Sequence, residues 1–198
     1  MSDAESIAEP LERRTDEELI AEFQRGNTAA FTLLVNRYKD PLTNFVYRFL
    51  GDWDECNDAV QDTFVRVFQN RDAYKPIAKF STWVYTIATN VAKSRLRRRN
   101  ILRMLPLIRR GEEGEPEYDV ADESARADLQ LESHMVEERI QHALDALPPK
   151  HREVILLRDV QGLSYEEIAD ITHLSMGTVK SRINRARQKL QEMLKDEH

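Results

Sequence analysis

The chain has 198 residues, 41% of them hydrophobic and 32% charged, with a net charge of −6. That is room for one medium domain or two small ones, in a composition that is soluble and helix-rich, and no apolar run reaches the roughly 18 residues a bilayer span needs. The polar start MSDAESIAEPLERR lacks a signal-peptide core, and the one cysteine, Cys56, excludes an internal disulfide or a cysteine-rich metal site.

A cytoplasmic location is therefore expected, with residues 1–14 disordered. Glycine and proline are scarce, β-branched alternation is nowhere sustained, and apolar residues recur every three or four positions. This predicts an all-α chain. Leu19, Ile20 and Phe23, then Phe31, Leu34, Val35 and Tyr38, mark two helices parted at Gly26-Asn27. Pro41 is expected to open a third, carrying Leu42, Phe45, Val46 and Phe49 and stopping near Gly51. Asp54 to Gln69 makes a fourth, with Val60, Phe64, Val67 and Phe68 inward and Asp58 and Asp62 outward. The loop DAYKPIAKF then precedes a helix from about Ser81 to Arg99.

From residue 101 to 135 the periodicity fails. Pro106, GEEGEPEYD and an acid-rich tail read as a linker, helical at most at its ends. Charge is segregated around it. Lys93 to Arg110 holds eight Lys or Arg and no acid, while Glu112 to Glu138 holds eleven Asp or Glu against one Arg. Such blocks point to partners of opposite sign, or to one block masking another. A second periodic unit, residues 136–198, begins with Ile140, Ala143, Leu144 and Leu147 and stops at Pro148-Pro149. A helix from His151 to Val160 follows. The layout predicted is two small helical domains on a tether.

The last stretch, LSYEEIADITHLSMGTVKSRINRARQKL, changes charge abruptly: Thr172 to Leu190 carries five Lys or Arg and no acid. Ser164 and Glu167 have capping-box spacing, Ile168, Ala169 and Ile171 form a buried side, and Ser175 caps a second helix. Thr172-His173-Leu174 leaves space only for a tight turn. Two helices so joined, the second basic, make a helix-turn-helix. His173 occupies the turn position where glycine is common, a left-handed conformation that histidine tolerates. On the second helix Val179, Ile183, Ala186 and Leu190 share a stripe. Thr178, Lys180, Ser181, Arg182, Asn184, Arg185 and Gln188 lie on the other side, as a helix entering a major groove requires.

No enzyme constellation is visible. The chain has no phosphate-binding glycine loop, HExxH or serine elbow, and its histidines, His134 and His142 among them, have no metal spacing. No catalytic residue, metal, cofactor or small-molecule substrate is expected. A helix-turn-helix alone fits a duplex-binding regulator equally well. The discriminating feature is the aromatic and basic block Tyr74 to Arg99, since single-stranded nucleic acid needs stacking faces beside positive charge.

ALPPKHREVILLRDVQGLSYEEIADITHLSMGTVKSRINRARQKL resembles the C-terminal domain of bacterial RNA polymerase sigma factors of the sigma-70 family. DAVQDTFVRVFQN followed by FSTWVYTIATNVAKSRLRRR resembles their core-binding and promoter-melting domain. The central domain of larger members has no counterpart, as in the extracytoplasmic-function (ECF) group. The resemblance implies a region 2-like domain at 15–100, an acidic linker at 101–135 and a region 4-like domain at 136–198. It implies core RNA polymerase (the β′ clamp helices and the β flap), promoter DNA and an anti-sigma factor as partners. The −35 duplex falls to the helix-turn-helix residues named above. The −10 element falls to Tyr74, Lys75, Lys79, Phe80, Asn90, Lys93 and Arg97, and polymerase docking to Asp54, Glu55, Asp58, Gln61, Asp62 and Arg66. Trp83 and Ile87 are read as core. The loop KPIAK lacks a glycine often present there. Linker acids such as Glu112, Glu113, Glu115, Glu117 and Asp119 are candidates to mimic nucleic acid in a basic channel. About 35 linker residues reach roughly 115 Å, more than the ~60 Å between promoter elements.

Overall fold

The structure, a computed structural model, describes residues 10–104 and 127–195, with side chains through residue 102 and from 135 onward. The linker acids named above and His134's side chain lie outside the described residues. No strand occurs among the described residues; the elements are eight α-helices with short 3₁₀ and π turns.

Helix α1 (Asp16–Gln24) starts at a capping box in which Thr15 and Glu18 satisfy each other's backbone N–H, and buries Leu19, Ile20 and Phe23. Helix α2 (Thr28–Leu50) corrects the expected break at Pro41, because it runs straight through that residue. Its buried residues, Ala30 and Leu34 before the proline and Leu42, Phe45, Val46 and Phe49 after it, keep one helical register. Their shared burial outweighs the roughly 3 kcal/mol cost of an interior proline. The expected disorder before Thr15 also needs correction at its end. Leu11–Arg13 form a 3₁₀ turn, held where Arg37 donates to the Glu12 carbonyl at 2.8 Å.

Helix α3 (Trp53–Gln69) is capped by Asp52, and α4 (Phe80–Met104) runs past the predicted stop at Arg99. The inward set expected on α3 is only partly inward: Val60 and Val67 are buried, but Phe64 is half-buried and Phe68 is 42% exposed. Cys56 is buried against Thr43, and burial pushes its thiol up to about 11.

In the C-terminal half, α5 (Ala127–Ala146) leads to α6 (Pro149–Ile155), which opens on a proline at its first position. A π turn follows at Leu156–Val160, then α7 (Tyr165–Thr172) and α8 (Met176–Lys195). The two halves pack directly. Helix α4 lies against α7, and the C-terminal end of α2 meets α5 and α6, so one buried apolar cluster runs from Leu19 to Ala186.

That second contact explains Gly51. Its φ of 69° is left-handed, and a Cβ there would sit 2.8 Å from Oδ2 of Asp145, in the other half. Only glycine meets both demands.

Candidate nucleic-acid interface

Ser164 and Glu167 close the capping box at the start of α7, with Glu167 N–H donating to Ser164 Oγ at 3.1 Å and Ser164 N–H donating to Glu167 Oε2 at 2.8 Å. Helix α7 ends at His173, whose φ of 55° and ψ of 39° are left-handed, as the turn demands. Ser175 Oγ then accepts from Thr178 N–H at 3.3 Å and starts α8. Val179, Ile183 and Ala186 are buried, which turns the opposite side of α8 to solvent.

On that side Lys180, Ser181, Asn184, Arg185 and Gln188 are exposed, and Thr178 and Arg182 are half-exposed. The side chains of Asn184, Arg185 and Gln188 make no hydrogen bond among the described residues, so their donors and acceptors are available to a base edge or phosphate. Arg187 is different. It grips Asp159 with two bonds, 2.9 and 2.5 Å, which pins α8 to the π turn. Tyr165 was not picked out from sequence; its ring lies beneath Arg158 at 4.8 Å and Lys180 at 5.7 Å. The signal was present in its place one residue after the cap.

The first half presents a second basic surface. Lys75 and Lys79 are exposed in the loop before α4, and Ile77 between them is 89% exposed. Asn90 and Arg97 are exposed along α4. Two expected members are absent from this surface. Tyr74 and Phe80 are only 5% and 1% exposed. Their rings pack edge-on to each other and tilted against Trp83, and the Tyr74 hydroxyl donates to the Ala78 carbonyl at 2.9 Å. Burying two large rings outweighs leaving them free for a base; they hold the loop's shape. Lys93 is also engaged, 2.6 Å from Glu153 of the second half.

Trp83, expected as core, is only partly buried. It lines a depression of about 280 Å³ with Arg66, Asn70, Ala73, Ile87 and Asn90. Arg66, expected beside the polymerase-facing acids, lies beside Asn90 instead. Three of those acids, Glu55, Asp58 and Asp62, face the seam between α3 and α4. Arg95 lies 3.5 Å from Asp58 and 2.5 Å from Asp62, and Arg99 lies 3.7 Å from Glu55. The open face of α3 carries Asp54 and Gln61 together with Val65, 51% exposed, and Phe68. Phe31, Phe64, Val65 and Phe68 border an apolar depression of about 240 Å³ there. Sequence periodicity missed this patch because aromatic residues on a helix read as core.

Among the described residues no cluster of three or more His, Cys, Asp or Glu is arranged for a metal, and no helix is long and apolar enough to cross a membrane. The family description "Sigma-70 region 2" matches residues 34–101 and "Sigma-70, region 4" matches residues 137–190. The ECF RNA polymerase sigma factor SigW of Bacillus subtilis is 37% identical over 183 residues, spanning 89% of this chain and 95% of that protein. The chain belongs to the ECF RNA polymerase sigma factors. The ECF sigma-E factor of Escherichia coli K12 is 36% identical over 180 residues, 89% of this sigma factor and 93% of its own length. Two solved complexes contain chains that share its fold at 28% identity. CnrH with the cytosolic domain of CnrY gives a TM-score of 0.70, covering 92% of this chain and 99% of that one. RpoE with the anti-sigma factor NepR from Bartonella quintana gives 0.63, covering 85% and 98%. The paired domains therefore set this sigma factor apart from a regulator that merely shares a helix-turn-helix.

Proposed function

We propose that this ECF sigma factor directs core RNA polymerase to promoters through three separate surfaces. The region 4-like domain, residues 136–198, reads −35 duplex with Thr178, Lys180, Ser181, Arg182, Asn184, Arg185 and Gln188. The region 2-like domain, residues 15–100, takes the −10 element with Lys75, Lys79, Asn90, Lys93 and Arg97, aided by Trp83 and Arg66 around the adjoining depression. Polymerase docks on the open face of α3, where Asp54 and Gln61 precede Phe64, Val65 and Phe68 along the helix. The acids Glu55, Asp58 and Asp62, half-neutralised by Arg95 and Arg99, give that docking its orientation. Residues 101–135 tether the domains.

The observation that carries this reading is the exposed polar face of α8, with Asn184, Arg185 and Gln188 free of side-chain hydrogen bonds among the described residues, in the same chain as the basic loop and α4. One surface suits duplex DNA and the other suits unpaired strands. On this reading the protein performs no chemistry of its own, works in the cytoplasm and is held in check by an anti-sigma factor, the kind of partner that RpoE binds in its complex with NepR.

Transcription with purified core polymerase is the test. Promoter-specific transcripts that require this protein are expected. Duplex binding with no polymerase-dependent transcript would instead favour the simple regulator.

A further inference from the structure

His151, near the start of α6, is 7% exposed, and its Nδ1 has no hydrogen-bond partner among the described residues. A leucine would fill the same space without stranding a nitrogen, so packing alone does not account for the imidazole. Its surroundings do. The charges that weigh most on it are four cations: Lys150 beside it, and Arg182, Arg185 and Lys189 on α8, which packs against α6. None of the four has an ion-pair partner among the described residues, and all but Arg182 are exposed. Glu153, on the same helix as His151, pairs with Lys93 and feels Arg182 more weakly. Burial, and then this cation cluster, holds the imidazole below the usual histidine range and keeps it neutral.

We infer that the −35 duplex binds together with a proton: a backbone phosphate comes to rest on Lys150, Arg182, Arg185 and Lys189, and His151 among them becomes charged. This rests on the reading of α8 as the −35 surface. Four unpaired cations converging on one place make a seat for an anion. The phosphate offsets their repulsion, and an anion within ~6 Å favours the charged imidazole by on the order of one pKa unit. The proton comes from solvent and returns there when the duplex leaves. Because the free protein holds it less tightly than the complex, affinity rises as pH falls through the histidine range and levels off below the free value.

Proton uptake is measured by titrating holoenzyme with a promoter duplex carrying the −35 element, at about pH 6.5, in two buffers of different ionisation heat. The binding heats should differ, reporting uptake of a fraction of a proton. Holoenzyme carrying His151→Leu should lose that uptake, and Glu153→Gln should keep it. Between about pH 8 and 5.5 the parent's affinity should gain up to about tenfold relative to His151→Leu. Equal uptake by parent and His151→Leu overturns the inference.

Neutral methylphosphonate groups placed singly along the duplex backbone give an arm that needs no protein variant. One position should abolish the uptake by parent holoenzyme; uptake that survives at every position overturns the inference. If Arg185→Ala leaves holoenzyme affinity for the −35 duplex unchanged, the −35 reading fails and the proton coupling falls with it. If Arg185→Ala weakens binding while parent and His151→Leu take up protons equally, only the coupling fails.

Discussion

Arg152 of the second domain donates to the Phe49 carbonyl at 2.7 Å, so a guanidinium from one domain terminates a helix of the other. Its neighbours do likewise for the same helix end: Gln141 donates to the Arg48 carbonyl at 3.3 Å and Arg99 to the Leu50 carbonyl at 3.0 Å. The last carbonyls of a helix carry partial negative charge and lack partners, which makes them natural acceptors for cations. Arg152 also bonds Asp145 Oδ1 at 2.8 Å and the Asp145 carbonyl at 2.6 Å.

Replacing Arg152 with Met should therefore destabilise the protein by about 3 kcal/mol, the cost of leaving buried acceptors and a carboxylate without their partner. Chemical denaturation should show the loss and a separation of the two domains' transitions. Arg152→Lys should recover little, because an ammonium cannot reproduce the planar fork. An unchanged, single transition in either variant would contradict the capping role.

The turn of the helix-turn-helix offers a gain instead. His173 is exposed and left-handed, so its ring stabilises nothing that glycine would forfeit. Replacing His173 with Gly should stabilise by roughly 0.5–1 kcal/mol and with Val should destabilise by at least about 1 kcal/mol. Thermal unfolding of the full chain measures both, and the order parent below Gly and above Val is the checkable result.

Arg185 stands exposed on α8, on the side opposite buried Val179 and Ile183. Replacing it with Ala should weaken holoenzyme binding to a −35 duplex about tenfold and lower the salt slope by roughly one if the contact is to phosphate. Affinity for core polymerase should not change. Equal losses in both assays would refute the assignment of separate surfaces.

Glu153 and Glu167 of the second half pair with Lys93 and Lys79 of the first, at 2.6 and 2.9 Å, and Glu153 makes this closed packing sensitive to pH. Burial raises its carboxyl above the ordinary 4.5, although Lys93 works in the opposite direction. A group that holds its proton more tightly in the closed form favours closure fully below its ordinary value, and that contribution disappears as pH rises through the raised one. Acidifying towards the ordinary carboxylate range should therefore increase the closed fraction, while Glu167, held below that range, stays ionised. Replacing Glu153 with Gln should flatten the profile at its acidic level. Energy transfer between dyes placed at Asn57 and Glu192, both exposed, reads the equilibrium. A closed fraction that falls on acidification would reverse the sign and refute this account.

Local signals were legible wherever chemistry acts within a few residues. Ser164, Glu167, His173 and Ser175 each took the predicted position because caps and turns are settled by neighbours three or four places away. The apolar stripe of α8 was equally plain. Pro41 was misread because the packing that overrides it comes from the rest of the bundle. Tyr74 and Phe80 were misassigned for a related reason: composition marks an aromatic as able to stack but does not say on what. Glu153 and Glu167 passed unnoticed in their cross-domain role, since their lysine partners are 60 and 88 positions away along the chain. The faces of α3 were assigned by charge alone, and its arginine partners on α4 lie over thirty positions onward.

The unbroken apolar cluster joining the halves has a calorimetric consequence. Parting them rehydrates side chains such as those lining the α4–α7 contact, and newly wetted hydrocarbon raises heat capacity. Association with polymerase should thus show a smaller heat-capacity decrease than the area of the final interface alone would give. The shortfall is a thermal record of how much of the protein had to come apart first.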